Sequence, residues 1–296
     1  MRMLVLFAVI LLTGCQAALP PLPAWQSPQG REHAELGRIV DLRSGETLSP
    51  QQLVERLAEA PRLLVGEQHD NPDHHALQLW LLQALAAQRA QGSLLLEMLA
   101  PAQQGSVDAV RAQLAAGEPI DDLPAALNWQ KGWDWTLYGP LLRHALAQPY
   151  PLSSANLDRA EILAIYRQRP GLTGAASTAE AVREALLGQI RDSHCGKLPE
   201  SQLPAMLAVQ QQRDRRMAEA LLAAAEPSML LAGAYHVRRD LGVPLHLRDL
   251  RDLGEPAGGL VLMLAEVGAT VDASTADFVW YTAAVPEQDH CANFGG

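Results

Sequence analysis

Two short stretches of the chain end in the same way. In Arg62-Leu-Leu-Val-Gly-Glu-Gln-His69 an apolar run closes on a glycine and is followed by a carboxylate and an imidazole. In Met229-Leu-Leu-Ala-Gly-Ala-Tyr-His236 the same grammar delivers a phenol and an imidazole. A third run, Ser93 to Leu96, ends in Glu97, and a fourth, Gly259 to Ala265, ends in Glu266. Runs of this length and composition read as strands buried on both faces. In an open parallel sheet, residues just past the carboxyl ends of strands line the crevice where ligands sit. Glu67, His69, His74, His75, Glu97, Asn156, Tyr235, His236 and Glu266 are therefore the candidates for one shared pocket.

Two chemistries suit that set. Glu67, His69, Glu97 and His236 supply carboxylate and nitrogen donors appropriate to zinc or manganese, with an open position where water could be activated for hydrolysis. Alternatively a tyrosine phenolate ligates haem iron at the pocket or its rim. A free phenol ionises only near pH ~10, so ferric iron and a hydrogen-bonding neighbour must stabilise the phenolate. His236, adjacent to Tyr235, is the expected neighbour. No glycine-rich dinucleotide fingerprint or P-loop follows any strand, which argues against a nucleotide. No serine sits on a nucleophile elbow.

The elements that must hold these groups follow from local signals. Leu48-Ser49-Pro50 places a serine N-cap before a proline at the first helical position, and the helix runs to about Glu59. Asn71-Pro72-Asp73 opens a longer helix with Leu77, Trp80, Leu81, Ala84 and Ala87 at helical spacing. Helices are expected over Val107–Ala115, Leu123–Leu127 and Leu137–Ala147. Between the last two, Trp129, Trp133, Trp135 and Tyr138 place four of the chain's fourteen aromatics within ten residues. Such a cluster reads first as a satellite core and second as a ligand platform. A strand over Pro151–Ala155 leads to Asn156, and helices follow over Arg159–Arg167, Thr178–Asp192 and Pro199–Ala225. The last of these carries Met206, Gln210, Arg213, Asp214 and Met217, so polar groups interrupt its buried stripe. Arg213 and Asp214 read as partners of each other or of their neighbours, and Arg213 alternatively as a contact for an anionic ligand group. Asp277–Thr282 is the last strand, its aromatic composition suiting a sheet edge. Strands alternating with helices mean an α/β fold, a parallel β-sheet flanked by helices. The helix-only stretches, approximately 101–149 and 159–226, imply a smaller all-α subdomain or insertion within 31–296.

At 296 residues and 48% hydrophobic content the chain can bury a large core. Its net charge of −10, with only two lysines, argues against nucleic acid as a partner. Met1-Arg-Met followed by the apolar run Leu4–Leu12 reads as a signal peptide over 1–14, too short to span a bilayer. Leu12-Thr-Gly-Cys15 reads as a bacterial lipobox, with Cys15 the lipidated first mature residue and Gln16 favouring the outer membrane. Residues 15–30, rich in proline, alanine and glutamine, look like a tether from lipid to domain. Cys195 and Cys291 could pair in an oxidising periplasm, a point their spacing alone leaves open.

Six motifs then carry a resemblance. They are Gly66-Glu-Gln-His-Asp-Asn-Pro-Asp-His-His75, the Leu127-Asn-Trp to Tyr138 segment, Ser154-Ala-Asn156, His194-Cys-Gly-Lys-Leu-Pro199, Gln210 to Met217, and His236-Val-Arg-Arg-Asp-Leu-Gly-Val-Pro244. Together they resemble the ChaN-like haem-binding lipoproteins linked to iron-regulated haem uptake. The resemblance implies a parallel sheet with flanking helices and a smaller helical domain. It also implies haem as cofactor and a homodimer around two stacked haems. In that arrangement a tyrosine of one subunit ligates each iron, and a histidine and a lysine of the other contact propionates. Of the five tyrosines, Tyr235 has the best local chemistry and Tyr138, within a motif, is second. His194 and Lys197, three residues apart, are the candidates for the propionates. The implied partners are haem, the membrane through the N-terminal lipid, and an outer-membrane haem receptor or a periplasmic haem carrier. The Glu67 and His69 motif also resembles a wider superfamily that includes TIKI-type metal-dependent proteases and erythromycin esterase-like enzymes, which keeps metal-dependent hydrolysis as the alternative.

Overall fold

The computed structural model describes residues 18–251, 259–289 and 291. The signal segment and Cys15 lie outside the described residues. The chain builds β1 (Ile39–Asp41), β2 (Thr47–Leu48), α1 (Pro50–Ala58), β3 (Arg62–Glu67), α2 (Pro72–Ala86) and β4 (Ser93–Leu96). Then come α3 (Gln104–Ala115), α4 (Leu123–Ala126), α5 (Trp135–Leu146), β5 (Leu152–Ser154), α6 (Arg159–Gln168), α7 (Glu180–Ser193) and α8 (Leu203–Ala223). The chain closes with β6 (Ser228–Gly233), α9 (Ala234–Val237), α10 (Val243–Leu250), β7 (Leu260–Glu266) and β8 (Phe278–Thr282).

The eight strands form one sheet in the order β2-β1-β8-β7-β3-β6-β4-β5. From β8 to β5 the neighbours are parallel, while β1 pairs antiparallel with both β8 and β2. The sheet is thus mixed at one edge, and that edge corrects one expectation. β8 lies between β7 and β1, and Trp280 on it is 1% exposed. Its aromatic residues pack in the interior because a strand more than two hundred residues earlier in the chain covers them. The one-turn α9 and the two-residue β2 are also additions to the sequence reading.

Alternation along each central strand divides the core into two layers, because successive side chains point to opposite faces. Leu63, Val65, Leu94, Leu96, Met229 and Leu231 face α1, α2, α3 and α5. Leu64, Leu95, Leu230 and Ala232 face α8 and α10. The helices of 101–149 therefore share the sheet's own core. A separate small cluster, Leu186, Ile190, Leu203, Leu207 and Leu241, joins α7 to the first half of α8. The turn after α7 is bonded to the C-terminal stretch by a Cys195–Cys291 disulfide, with Cα atoms 5.6 Å apart. No helix among the described residues is long and apolar enough to cross a membrane.

Local signals hold where the chain is locally determined. Ser49 and Gln52 form a capping box at the start of α1, and Asn71 caps α2 through the Asp73 and His74 amides. Ser49→Ala is expected to cost about 1 kcal/mol, read as a shift in the urea midpoint with an unchanged slope. The stretch read as a tether is, from Leu19 on, laid against the body. Leu19 and Trp25 pack on the core, Trp80 donates to the Pro20 carbonyl at 2.9 Å, and Asp73 accepts from the Gln26 and Ser27 amides.

Candidate functional site

β3, β4 and β6 lie side by side, so their carboxyl ends bring Glu67, Glu97 and Gly233 together. Beyond them a cavity of about 370 Å³ is lined by Glu67, Gln68, His69, Gln189, Gln210 and the segment 233–236. Two polar networks form its floor, and both are largely buried.

The first is built on Glu67. Its Oε1 accepts from the Tyr138 hydroxyl at 2.6 Å and from His69 Nδ1 at 2.9 Å, and its Oε2 lies 3.1 Å from His75 Nδ1. His75 Nε2 donates to the His69 carbonyl at 3.0 Å. Burial opposes ionisation of Glu67, but the charge of His75 and the bonds from His69 and Tyr138 outweigh it and lower the carboxyl below its usual range. For His69, burial works against the charged form, and the Glu67 bond with the charges of Glu97 and Glu67 raises it. Burial and the adjacent Glu67 carboxylate push the Tyr138 phenol far above its usual value. The aromatic segment lies over this network. His69 meets Trp133 edge-on at 4.9 Å, and Trp133 meets Tyr138 at 5.8 Å. Trp133 and Tyr138 serve as core behind this network, and neither lines the cavity.

The second network is a buried line of three groups. His236 places Nδ1 2.5 Å from Asp214 Oδ1 and Nε2 3.3 Å from Glu97 Oε1, while Glu97 Oε2 accepts the Gly233 amide at 2.7 Å. Burial disfavours the imidazolium, yet the two flanking carboxylates raise its pKa to about 10. Burial likewise disfavours the Glu97 carboxylate, which His236, His69 and the Gly233 amide hold down to about 2. Burial pushes Asp214 up, against the pull of His236. The imidazole of His236 is thus held between two carboxyl groups, Asp214 and Glu97.

The His69 ring lies over Gly233, and only glycine leaves it room. A Cβ at residue 233 would sit 2.8 Å from His69 Cε1 and 2.9 Å from Nε2. The His69 side chain is 45% exposed and can swing outward. Gly233→Ala is therefore expected to keep the fold and break the His69–Glu67 bond. The observable is a fall in the His69 pKa towards 6.5 in an NMR titration of its ring protons.

Several sequence candidates occupy other roles. Tyr235 is at the mouth of the cavity and 52% exposed. His236, next to it, was expected to support its phenolate. It faces inward instead, because consecutive residues on a helical turn point about 100° apart, and both of its ring nitrogens are engaged by carboxylates. Tyr138 is 1% exposed and donates to Glu67 rather than opening onto the cavity. His194 and Lys197 are on the disulfide-bonded turn, where His194 Nδ1 is 2.7 Å from the Ile190 carbonyl and Lys197 donates to the Cys291 carbonyl. Neither lines the cavity. Arg213, beside Asp214, is half-buried on α8 and is not a lining residue either. Asn156 donates to the Glu97 carbonyl, and Glu266 accepts from Asn71 and Val285. His74 is buried between the Gln68 amide and Thr282, and burial lowers its pKa to about 3. Asp214 is the main addition to the site. Its signal was present in the pattern, since Gln210 and Asp214 are one turn apart on α8 and both reach His236.

The proposed metal set, Glu67, His69, Glu97 and His236, does converge. Its donors, however, are turned on one another and on Tyr138, Asp214 and the Gly233 amide. Among the described residues no group of three His, Cys, Asp or Glu side chains is arranged to hold a metal ion. The set does not fit a divalent cation as it stands.

Comparison with known proteins adds a family. The family described as haem-binding uptake, Tiki superfamily, ChaN matches residues 53–247. Among solved structures, the chain is 30% identical to ChaN of Campylobacter jejuni, described as binding heme cofacially. That likeness covers 82% of this chain and 95% of the other, with a TM-score of 0.74. A MARTX toxin effector domain of Vibrio vulnificus is 17% identical over 86% of this chain and 43% of its own, with a TM-score of 0.44. An erythromycin esterase is 13% identical over 78% of each chain, with a TM-score of 0.41. None of the curated proteins compared with the chain matches it.

Proposed function

This chain belongs to the haem-binding uptake family of the Tiki superfamily, ChaN, and from that premise we propose that it binds haem across the mouth of the cavity with Tyr235 as iron ligand. The observation that carries the reading is Tyr235 itself. It is one of three large hydrophobic residues exposed among the described residues, with Leu22 and Leu163, and it alone of these lines the cavity. A phenol on the first helical turn after a central strand is held rigidly and still reaches solvent. When bound, haem supplies the iron centre and a wide apolar face; the chain supplies the phenolate oxygen and the surface against which the macrocycle packs.

The cavity is near the small end of the range for ligand sites, roughly 300–1,000 Å³. A macrocycle therefore covers the mouth and leaves one face open. Closing that face with a second haem and a second copy of the chain buries apolar surface that a monomer would expose. The cofacial binding described for the Campylobacter jejuni relative supports this arrangement. His194 and Lys197, fixed on the turn that the Cys195–Cys291 disulfide pins, are the groups proposed to meet propionates across the dimer. The lipid anchor at Cys15 and the outer-membrane location complete the proposal, with haem uptake as its role.

Haemin titration of the purified protein followed by sedimentation tests both halves. The expected result is a Soret shift saturating at one haemin per chain, together with conversion of monomer to dimer. A titration with no Soret shift removes the haem reading. Saturation without a change in sedimentation removes the dimer.

A further inference from the structure

We propose that Trp133, Tyr138 and Trp129 form a path along which one-electron oxidising equivalents leave the cavity for the protein surface. Tyr138 passes its hydroxyl proton to Glu67 as it is oxidised. Such a path shields a macrocycle at the cavity mouth from hydroperoxide damage, and it lets a small electron donor act from solvent. The inference rests on the haem reading for its oxidant alone, because the rings and their contacts belong to the chain itself.

Aromatics are scarce in this chain, fourteen in 296 residues, yet the segment 129–138 gathers four of them into one run of contacts. His69 lines the cavity, and its ring meets Trp133 edge-on with centroids 4.9 Å apart. Trp133 meets Tyr138 at 5.8 Å, and Tyr138 meets Trp129 at 6.0 Å. Each spacing is that of rings in direct contact, so no step of the path crosses a gap. Trp129 is fixed to the same loop by its Nε1, which donates to the Trp133 carbonyl at 2.8 Å. It is half-buried and so meets solvent. The next ring, Trp135, lies 5.2 Å from Trp129 and carries the Arg143 guanidinium 5.4 Å from its centroid. A cation there attracts the neutral ring and repels a positive charge placed on it. Trp135 is therefore the least favourable of the four rings for an electron hole, and Trp129 is the exit.

Tyr138 is the ring whose oxidation its surroundings favour. It is buried, and its hydroxyl donates to Glu67 Oε1 at 2.6 Å, a short bond of the charge-assisted kind. Burial and the carboxylate keep the phenol protonated before oxidation. A phenol that has lost an electron is a strong acid, so the proton crosses that one bond. The Tyr138 O–H bond breaks, an O–H bond forms on Glu67, and one electron passes through Trp133 to the oxidant. Trp129 then returns an electron to the Tyr138 radical and Glu67 returns the proton. A one-electron donor in solution, of the class of ascorbate or a thiol, reduces Trp129. Two passages supply the two electrons that, with two protons from solvent, cleave one hydroperoxide O–O bond to alcohol and water. Tyrosine is the haem ligand of catalase, which makes a hydroperoxide the oxidant class for a tyrosine-held haem. A packed cluster alone requires neither the short bond from its buried phenol to a carboxylate nor the contact with a cavity-lining ring.

The first test needs no haem. The Tyr235→Phe protein, which lacks the exposed phenol, is oxidised with flash-quenched ruthenium tris-bipyridine, frozen and read by electron paramagnetic resonance. A tyrosyl radical is expected. Adding Tyr138→Phe is expected to remove most of it, and so is adding Glu67→Gln, which still accepts the hydroxyl hydrogen bond and cannot hold its proton. With ascorbate present, Trp129→Phe is expected to slow the decay of the radical about ten-fold. The second test treats the haemin complex with tert-butyl hydroperoxide and ascorbate. Its Soret band is expected to bleach about five-fold faster in Trp129→Phe than in the unaltered protein, with haemin affinity unchanged. A tyrosyl radical indifferent to Tyr138→Phe overturns the path, as do equal bleaching rates. Haemin titration separates the premise: a chain with no Soret shift loses the haem reading and this role with it, while the radical measurement still decides whether the rings conduct.

Discussion

Tyr235→Phe is expected to remove the ferric charge-transfer absorption of the haemin complex and to weaken haemin binding about 100-fold, roughly 2.7 kcal/mol. The expectation follows from where the side chain sits. Its ring is 52% exposed at the cavity mouth, so phenylalanine keeps the contact area and loses only the oxygen. The difference between the two proteins then isolates the proposed bond to iron. Spectral titration and stopped-flow dissociation read it directly, and an unchanged ferric spectrum takes the ligand role away from Tyr235. Tyr138→Phe has a different forecast. Its hydroxyl is inside the protein on Glu67, so losing it leaves a buried carboxylate short of a donor. That variant is expected to lower the unfolding midpoint and to leave the haemin spectrum intact.

The second large effect belongs to His236. Removing it as His236→Ala leaves Glu97 and Asp214, 2% and 0% exposed, facing each other without a cation. Breaking a buried pair by deleting one partner costs about 3–5 kcal/mol, because the desolvated charge that remains is uncompensated. The double variant His236→Ala/Asp214→Ala is expected to be more stable than the single one, which a mere packing defect does not predict. The pH dependence gives a further check. The His236 pKa is raised from 6.5 to about 10, so its contribution is complete below pH 6.5 and is lost as pH rises through 10. The Glu97 pKa is lowered from 4.5 to about 2, so its contribution is complete above pH 4.5 and is lost as pH falls through 2. Asp214, pushed up by burial, acts in the opposite sense to Glu97. In guanidinium chloride denaturation the stability that His236 contributes is therefore expected to be full between about pH 4.5 and 6.5 and to be lost along an alkaline limb above it, while His74, its pKa lowered to about 3 by burial, superimposes a loss of stability as pH falls below 6.5. A His236→Ala protein that keeps the full alkaline limb would show that another group causes it.

Both predictions concern residues that were visible as chemistry before any fold was known, and their separate roles were not. Apolar runs ending in Gly66-Glu67, Leu96-Glu97 and Gly233 are readable because burial on both faces demands uninterrupted hydrophobic residues. The parallel order of the central strands makes those ends converge. The caps of α1 and α2 are readable because each satisfies its own first-turn amides within a few residues of chain. Side-chain direction is another matter. Tyr235 and His236 are neighbours in the chain, yet α9 turns one to solvent and the other onto Asp214 and Glu97. Asp214 itself comes from a helix that pattern reading could only describe as interrupted.

The amino-acid sequence by itself determined the α/β class, the strand ends that carry the chemistry, the helix starts and the motifs that mark the family. These depend on interactions a few residues long or on composition that burial imposes everywhere. Only the tertiary structure decided that Trp280 lies in the interior, that Pro20 to Ser27 is fastened to α2, and that the four prospective metal donors pair as Glu67 with His69 and Glu97 with His236 and bond further to Tyr138 and Asp214. Each of those outcomes turns on which distant segment supplies the partner. A β1 strand covers β8, a helix turn meets a proline carbonyl, and a carboxylate from α8 reaches an imidazole beyond β6. Residue types state what a group can do, and packing alone states which other group it meets.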